Sequence, residues 1–281
     1  MEGALTELEQ TVGAHLPVRG DRLRGRVALV SGAGSAGDLL GTGAATALLF
    51  AGQGADVAIL DLDRMRGENT LRLIEQLGGR GLVVTADIRD GAACAAAVDV
   101  TVKAFGGIDV LMNNTGVGRS GKLGEVSEAD WDFVVDVNLK GTMLLSQAAL
   151  PHLAARKGAV INVSSVAAQR AHGSLAYAAA KGGLFSMTRD MAYACGPAGV
   201  RVNCLVPGYL TTPMGGGGDA KMRDERRKAT FLGTEGSGWD IAWAALFLAG
   251  PEARWITAQV LNVDAGSTAA SNLPRLALFK D

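Results

Sequence analysis

From Arg26 onward the chain alternates short, nearly continuous apolar runs with segments of helical periodicity, and this alternation restricts the fold to one class. The apolar runs are Arg26-Val-Ala-Leu-Val-Ser31, Ala55-Asp-Val-Ala-Ile-Leu60, Gly81-Leu-Val-Val-Thr-Ala86, Ile108-Asp-Val-Leu-Met112, Ala159-Val-Ile-Asn-Val163, Val200-Arg-Val-Asn-Cys-Leu-Val206 and Gln259-Val-Leu-Asn-Val263. Helical patterns fall between them at 41–54, 64–77, 91–105, a long stretch opened by Ser127-Glu-Ala-Asp130, 177–195 and 238–249. Ser127 and Asp130 have the spacing of a capping box. Strands that are apolar on both faces and alternate with helices predict a parallel sheet covered on both sides: an α/β, doubly wound, Rossmann-type domain of about seven strands in three layers. Such sheets bind ligands at the carboxyl ends of their strands, near the point where strand order reverses. The expected organisation is an N-terminal arm (1–25, with one short helix), a single domain (26–266) and a tail (267–281). The polar, glycine-rich segment 211–238 is too long for an ordinary turn, so it reads as a lid or a solvated excursion.

With 281 residues, 48% of them apolar, the chain can bury a large core. Its 27 basic and 28 acidic side chains nearly cancel, which gives no electrostatic reason to expect nucleic acid or an anionic membrane as partner. Cys94, Cys195 and Cys204 are widely spaced and form no CxxC pair, so neither a disulfide framework nor a zinc site is expected. His15 and His152 show no metal-ligand pattern, and no metal is expected. The first residues carry acids where a signal peptide has bases, and no run of about 18 apolar residues occurs. A cytoplasmic protein is the expectation.

Chemistry first shows after the opening strand, in Ser31-Gly-Ala-Gly-Ser-Ala-Gly-Asp-Leu-Leu-Gly-Thr-Gly43. Glycines between a strand and a helix let the backbone turn sharply and approach a pyrophosphate, to which the helix start offers free N–H groups and partial positive charge. Asp61 closes the second strand. A carboxylate there can accept hydrogen bonds from both ribose hydroxyls of NAD and repels a 2′-phosphate, although it could also merely cap the following helix. The glycine loop contains no Lys or Arg. NAD is therefore expected over NADP.

Tyr177 and Lys181 stand one helical turn apart, on one face. A nearby ammonium favours the phenolate, so Lys181 is expected to lower the Tyr177 pKa and make proton exchange practicable near neutral pH. Ser164 and Ser165 follow the fifth strand at its carboxyl end, where a hydroxyl can fold back beside the phenol. Asn138 lies in a helix one crossover earlier, and Asn113-Asn-Thr-Gly116 follows the fourth strand.

These markers, in this order from about Arg26 to Gly266, resemble the short-chain dehydrogenase/reductase family, the single-domain group with a YxxxK motif. The resemblance implies that Tyr177 exchanges the proton, Lys181 holds the ribose, Ser165 hydrogen-bonds the substrate oxygen and Asn138 holds a water linked to Lys181. It implies a cofactor site of Gly32, Gly34, Ser35, Gly41, Thr42, Gly43, Asp61, Leu62, Asp87, Ile88, Asn114, Gly116, Tyr177, Lys181, Pro207, Gly208, Leu210 and Thr212. Within that set Asp87 would bind the adenine and Thr211 or Thr212 would touch the carboxamide or pyrophosphate. Asn113 would brace the adenosine side. A homotetramer paired through the long helices and the last strand is also implied.

The chain departs from the family pattern in three places. Gly37-Asp-Leu-Leu looks like an insertion in the phosphate loop, Thr115 replaces the customary Ala, and the Ser165–Tyr177 spacing is one residue short. The expected activity is NAD-dependent interconversion of a secondary alcohol and a ketone. The alternatives are an NADPH-linked 3-oxoacyl-thioester reductase and a non-enzymatic dinucleotide-binding regulator on the same fold. His172 reads as an exposed loop residue, Ser164 as a strand-end residue, Trp239, Trp243 and Trp255 as packing or subunit contacts, and Lys221–Lys228 as a solvated helix face. The residues expected around the substrate (119–123, 166–173, Tyr209 and 212–232) contain no cluster of bases demanding an acid. An apolar secondary alcohol or cyclic diol fits them.

Overall fold

A computed structural model describes residues 19–36, 40–215 and 219–269. The expected helix in the arm (residues 1–18), positions 37–39 of the expected loop insertion and most of the tail (270–281) lie outside the described residues.

Seven parallel strands form one sheet: β1 (Val27–Ser31), β2 (Asp56–Asp61), β3 (Arg80–Thr85), β4 (Val110–Asn113), β5 (Ala159–Val163), β6 (Arg201–Pro207) and β9 (Val260–Val263). Their spatial order is β3-β2-β1-β4-β5-β6-β9. β7 (Leu210–Thr211) and β8 (Gly236–Ser237) pair only with each other. Helices α1 (Thr42–Gly52), α2 (Arg64–Gln76) and α8 (Gly238–Ala249) supply the core on one face of the sheet. α3 (Gly91–Phe105), α5 (Gly141–Arg156) and α6 (Leu175–Cys195) supply it on the other.

Successive strand side chains point to opposite faces. In β2, Val57 and Ile59 enter the first core while Ala58 and Leu60 enter the second. Burial on both sides is why these strands read as unbroken apolar runs. Ala28 of β1 pairs with Val57 on one side and Val110 on the other, so strand order reverses between β1 and β4 and a crevice opens at their carboxyl ends.

Two local expectations change. The long helix predicted after Ser127 is α4 (Glu128–Val135) joined to α5 through one π-helical turn, Asp136–Lys140, with Asn138 at its centre. At its start, Ser127 Oγ accepts from Asp130 N (3.1 Å) and donates to the Asp130 carboxylate (2.8 Å), a one-sided cap. The reciprocal box occurs at α8 instead, where Asp240 accepts from Ser237 N (2.6 Å) and Oγ (2.9 Å).

Segment 211–238 is not an ordinary turn. It carries α7 (Ala220–Lys228), an exposed mixed-charge helix whose Arg223 and Arg226 reach the buried carboxylate of Glu235 at 3.0 and 3.5 Å. Trp239 is buried and Trp243 packs against the first core, whereas Trp255 is 91% exposed. Among the described residues no helix is long and apolar enough to cross a membrane.

Candidate active site

The loop leaving β1 is shaped by what a side chain would strike. Gly32 has φ +61°, and a Cβ on it would meet the Thr115 backbone at 2.8 Å. A Cβ on Gly43 would collide with the Gly32 carbonyl and meet Asn114 Nδ2 at 2.5 Å. The first turn of α1 therefore lies directly against the β1 exit. Gly41 is the N-cap of α1, with no side-chain cap and no acid in the first turn, and among the described residues a Cβ there would meet nothing within 4 Å. The start of α1 thus offers backbone donors and partial positive charge to an anion, beside room for one.

Asn114 secures this turn. Its Nδ2 donates to the carbonyls of Ser31 (3.2 Å) and Gly32 (2.9 Å), and its N–H donates to Ser31 Oγ (3.1 Å). Asp61 stands at the tip of β2, accepting from Gly34 N (2.8 Å) and Asp63 N (3.0 Å). It does not cap α2. Asp63 does, accepting from Met65 N and Arg66 N.

The other cofactor candidates fall into three groups. Ser35 is buried, with its N–H bonded to the Arg66 carbonyl (3.0 Å), and Leu62 is exposed. Asp87 is held by Arg89 (2.6 Å), which keeps its carboxyl below the usual range, and Ile88 is buried. Pro207 ends β6, and a Cβ on Gly208 would strike Asp264. Leu210 packs into the first core and Thr212 is buried with Oγ1 accepting from Gly215 N (3.1 Å), so the bonds and packing of these two side chains lie within the protein.

Ser165, Tyr177, Lys181, Asn138 and Gly116 converge beyond β4 and β5. Lys181 is 3% exposed and its Nζ donates to the Val163 carbonyl (2.8 Å) at the end of β5. Ser164 Oγ donates to the Lys181 carbonyl (2.7 Å), which gives that serine a bracing role within the fold. A Cβ on Gly116 would lie 3.0 Å from Asn138 Oδ1 and 3.2 Å from Lys181 Nζ, so both polar groups border one small space. The Asn138 amide donates to the Val117 and Val134 carbonyls (2.9 and 2.8 Å), and its Oδ1 accepts from Val117 N (3.3 Å). The phenol of half-buried Tyr177 hydrogen-bonds Ser165, and exposed His172 stands beside it, ring centroids 6.1 Å apart.

Two expectations are corrected here. Burial raises the Tyr177 pKa above its ordinary value, and the Ser165 hydrogen bond offsets part of the rise. Lys181 does not lower it in this state. Its ammonium is bound to Val163 and lies 5.8 Å from the ring centroid, and burial drives its own pKa down to about 8. Asn113 does not brace the adenosine side. Its Nδ2 donates to Ser146 Oγ and Asn162 Oδ1 (both 2.9 Å), tying β4 to β5 and α5 inside the second face.

Sequence reasoning also missed Arg170, in the loop between Ser165 and Tyr177. Its guanidinium lies over the Tyr209 ring, 4.7 Å from the centroid. The readable signal was a base inside the segment already assigned to the substrate.

Sheet, glycine turn and the Ser–Tyr–Lys convergence together define a class: dinucleotide-dependent oxidoreductases of Rossmann type. A family model described as enoyl-(acyl carrier protein) reductase matches residues 37–268. The hydroxy(phenyl)methylsuccinyl-CoA dehydrogenase subunit BbsD of Thauera aromatica is 41% identical over 245 residues, covering 87% of this chain and 97% of its own. A 3-oxoacyl-(acyl-carrier-protein) reductase of Thermotoga maritima is 36% identical, covering 87% and 98%.

Similar solved structures include a carveol dehydrogenase of Mycobacterium avium in complex with NAD, with TM-score 0.83 and 28% identity, covering 89% of this chain and all of that one. A short-chain dehydrogenase of Burkholderia cenocepacia in complex with NADP has TM-score 0.81 and 35% identity, covering 88% and 99%. This chain belongs to the short-chain dehydrogenase/reductase family, whose members are NAD(P)-dependent oxidoreductases.

Proposed function

We propose that the protein oxidises a secondary alcohol to a ketone with NAD, Tyr177 accepting the hydroxyl proton. The observation that carries this reading is the single space bordered by Lys181 Nζ and Asn138 Oδ1, with the phenol of Tyr177 bonded to Ser165 nearby.

The residues present fit a dinucleotide. The bare start of α1 suits the pyrophosphate and Asp61 suits an unphosphorylated ribose, with Leu62, Asp87 and Ile88 beside the adenosine and Gly116 and Pro207–Thr212 toward the nicotinamide. When bound, the nicotinamide supplies the hydride acceptor. Ser165 orients the alcohol oxygen. Tyr177 takes its proton, and Lys181 turns from the Val163 carbonyl toward the phenol and the ribose, lowering the phenol pKa in the loaded site. Asn138 keeps the lysine end open to a water. Positioning alcohol and cofactor together supplies much of the rate.

Residues 26–266 act as one domain, with 211–238 as its lid. Buried, unpaired Cys94, Cys195 and Cys204 suit a reducing cytoplasm. Exposed Met143 and Tyr193 on α5 and α6, with Leu261 on the edge strand β9, support a homotetramer paired through those elements. Light scattering of the purified protein at the tetramer mass is expected, and a monomer would contradict it.

The cofactor reading is tested by kcat/KM with NAD and NADP across a panel of secondary alcohols, diols and hydroxysteroids. Higher efficiency with NAD is expected, and higher efficiency with NADP would overturn it. NADPH-linked reduction of a 3-oxoacyl thioester is the second reading. It is favoured by Arg66, whose stem lies beside Gly34 and Asp61 at the ribose position.

A further inference from the structure

The β5–α6 loop carries Ser165 and Arg170 and leads into α6, whose first turn carries Tyr177; the connection after β6 carries Tyr209. These two segments are the banks between which the proposed function places the alcohol. Arg170 joins them, its guanidinium stacked 4.7 Å over Tyr209 and its Nη1 donating to the Ser267 carbonyl (3.0 Å) after β9. Its remaining terminal nitrogen, Nη2, is buried without a hydrogen-bond partner, and Arg170 makes no ion pair among the described residues.

A guanidinium never loses its charge in a protein, and a buried charged donor left unmatched is destabilising. Stacking on Tyr209 and the Ser267 bond hold this one in place, which reduces the ordering cost of pairing with an anion. In the opposite substrate segment (119–123), Arg119 already faces Asp130 at 3.7 Å, and Lys122 is exposed to solvent. Arg201 is the only other arginine on the described residues with a buried unmatched nitrogen, and it starts β6 at the opposite end of the sheet.

We infer that Arg170 is a specificity residue that binds a carboxylate on the substrate, so that the natural alcohol is a hydroxy acid. This inference rests on the proposed alcohol oxidation at the same site. It replaces the neutral alcohol or diol that the sequence suggested. The carboxylate accepts from Nη2, while the carbinol carbon faces Ser165 on the same loop and Tyr177 in the first turn of α6. A planar guanidinium suits a carboxylate, and an ammonium is a poorer replacement.

Calorimetric titration of the NAD-loaded full chain with cyclohexanecarboxylate and with its neutral isostere cyclohexanecarboxamide tests this directly. The wild type is expected to bind the acid at least about tenfold more tightly than the amide, as charge-assisted pairing allows. Arg170→Met is expected to erase that preference, so that acid and amide bind alike. Arg170→Lys should keep part of it. Equal binding of acid and amide by the wild type, no binding of the acid, or a preference that survives Arg170→Met overturns the inference. The oxidoreductase reading fails separately: it does so if Tyr177→Phe retains alcohol turnover, whatever the acid preference.

Discussion

The two halves of the crevice are held by different means. On the proposed cofactor side, backbone is packed against backbone, with Gly43 against the Gly32 carbonyl, Gly32 against Thr115, and Asn114 bonded to two main-chain carbonyls. On the proposed substrate side, side chains do the holding: Ser165 lies against Tyr177 within one bank, the arginines of α7 sit on Glu235 within the other, and Arg170 over Tyr209 joins the two. Backbone packing tolerates almost no substitution, whereas side-chain contacts can be exchanged without moving the scaffold. The same fold can therefore keep one cofactor site while varying its substrate.

The sharpest way to break this contrast is inside the glycine loop. Gly43→Ala forces a Cβ into the Gly32 carbonyl and should cost about 3 kcal/mol, lowering Tm by roughly 6–12 °C and abolishing NAD binding. Thermal melts with and without NAD check it, and a melt like the wild type would show that the packing is not rigid.

Lys181→Met comes next, with the opposite sign. The Lys181 pKa falls from 10.5 to about 8 on burial, so at pH 7 the folded state holds a charge it disfavours. Both states are protonated below about 8, where the penalty is full. It fades as pH rises toward 10.5, because there the folded protein has released a proton that the unfolded chain still holds. Allowing for the lost bond to Val163, the variant should be more stable by about 2 kcal/mol at pH 7, with the gain vanishing near pH 10. Denaturant unfolding at several pH values checks this. A variant less stable at pH 7 would mean that the lysine is better solvated than its burial indicates.

Asn113→Ala should cost about 1–2 kcal/mol by orphaning Asn162 and Ser146, while leaving NAD affinity nearly unchanged. A large loss of NAD affinity instead would restore Asn113 to the adenosine side. The smallest effect belongs to Gly41→Ala. Its Cβ meets nothing within 4 Å among the described residues at φ −73°, so folding should lose only the N-cap difference between Gly and Ala, about 1 kcal/mol or less, while NAD affinity falls. The pair Gly41 and Gly43 thus separates room for ligand from packing within one loop.

Much of this was legible in the chain. Strands such as β2 announce themselves because both faces are buried, and α3 and α8 run over the residues their periodicity predicts. Asp61, Asn114, Ser165, Tyr177 and Lys181 were readable because each stands at or within two residues of a strand's carboxyl end or repeats at helical spacing.

What was hidden depends on direction rather than position. Asn113 and Asn114 are adjacent and identical, yet strand alternation sends one into the second core and the other to the glycine turn. The π turn around Asn138 has no periodic signature. Arg170 is one base in an irregular loop, and only coordinates show that it lacks an acid. The Tyr177 pKa went astray because helical spacing sets which face Lys181 occupies but not which acceptor its ammonium takes.

The central claim is that the Tyr177 phenol carries the proton. Single-turnover formation of reduced nicotinamide by NAD-loaded Tyr177→Phe, on the best alcohol of the panel, tests it most directly. A rate lower by about 10²–10⁴-fold, with NAD affinity nearly unchanged, is the predicted result. A rate within about tenfold of the wild type would contradict it, since a positioned acid–base group accounts for more than that.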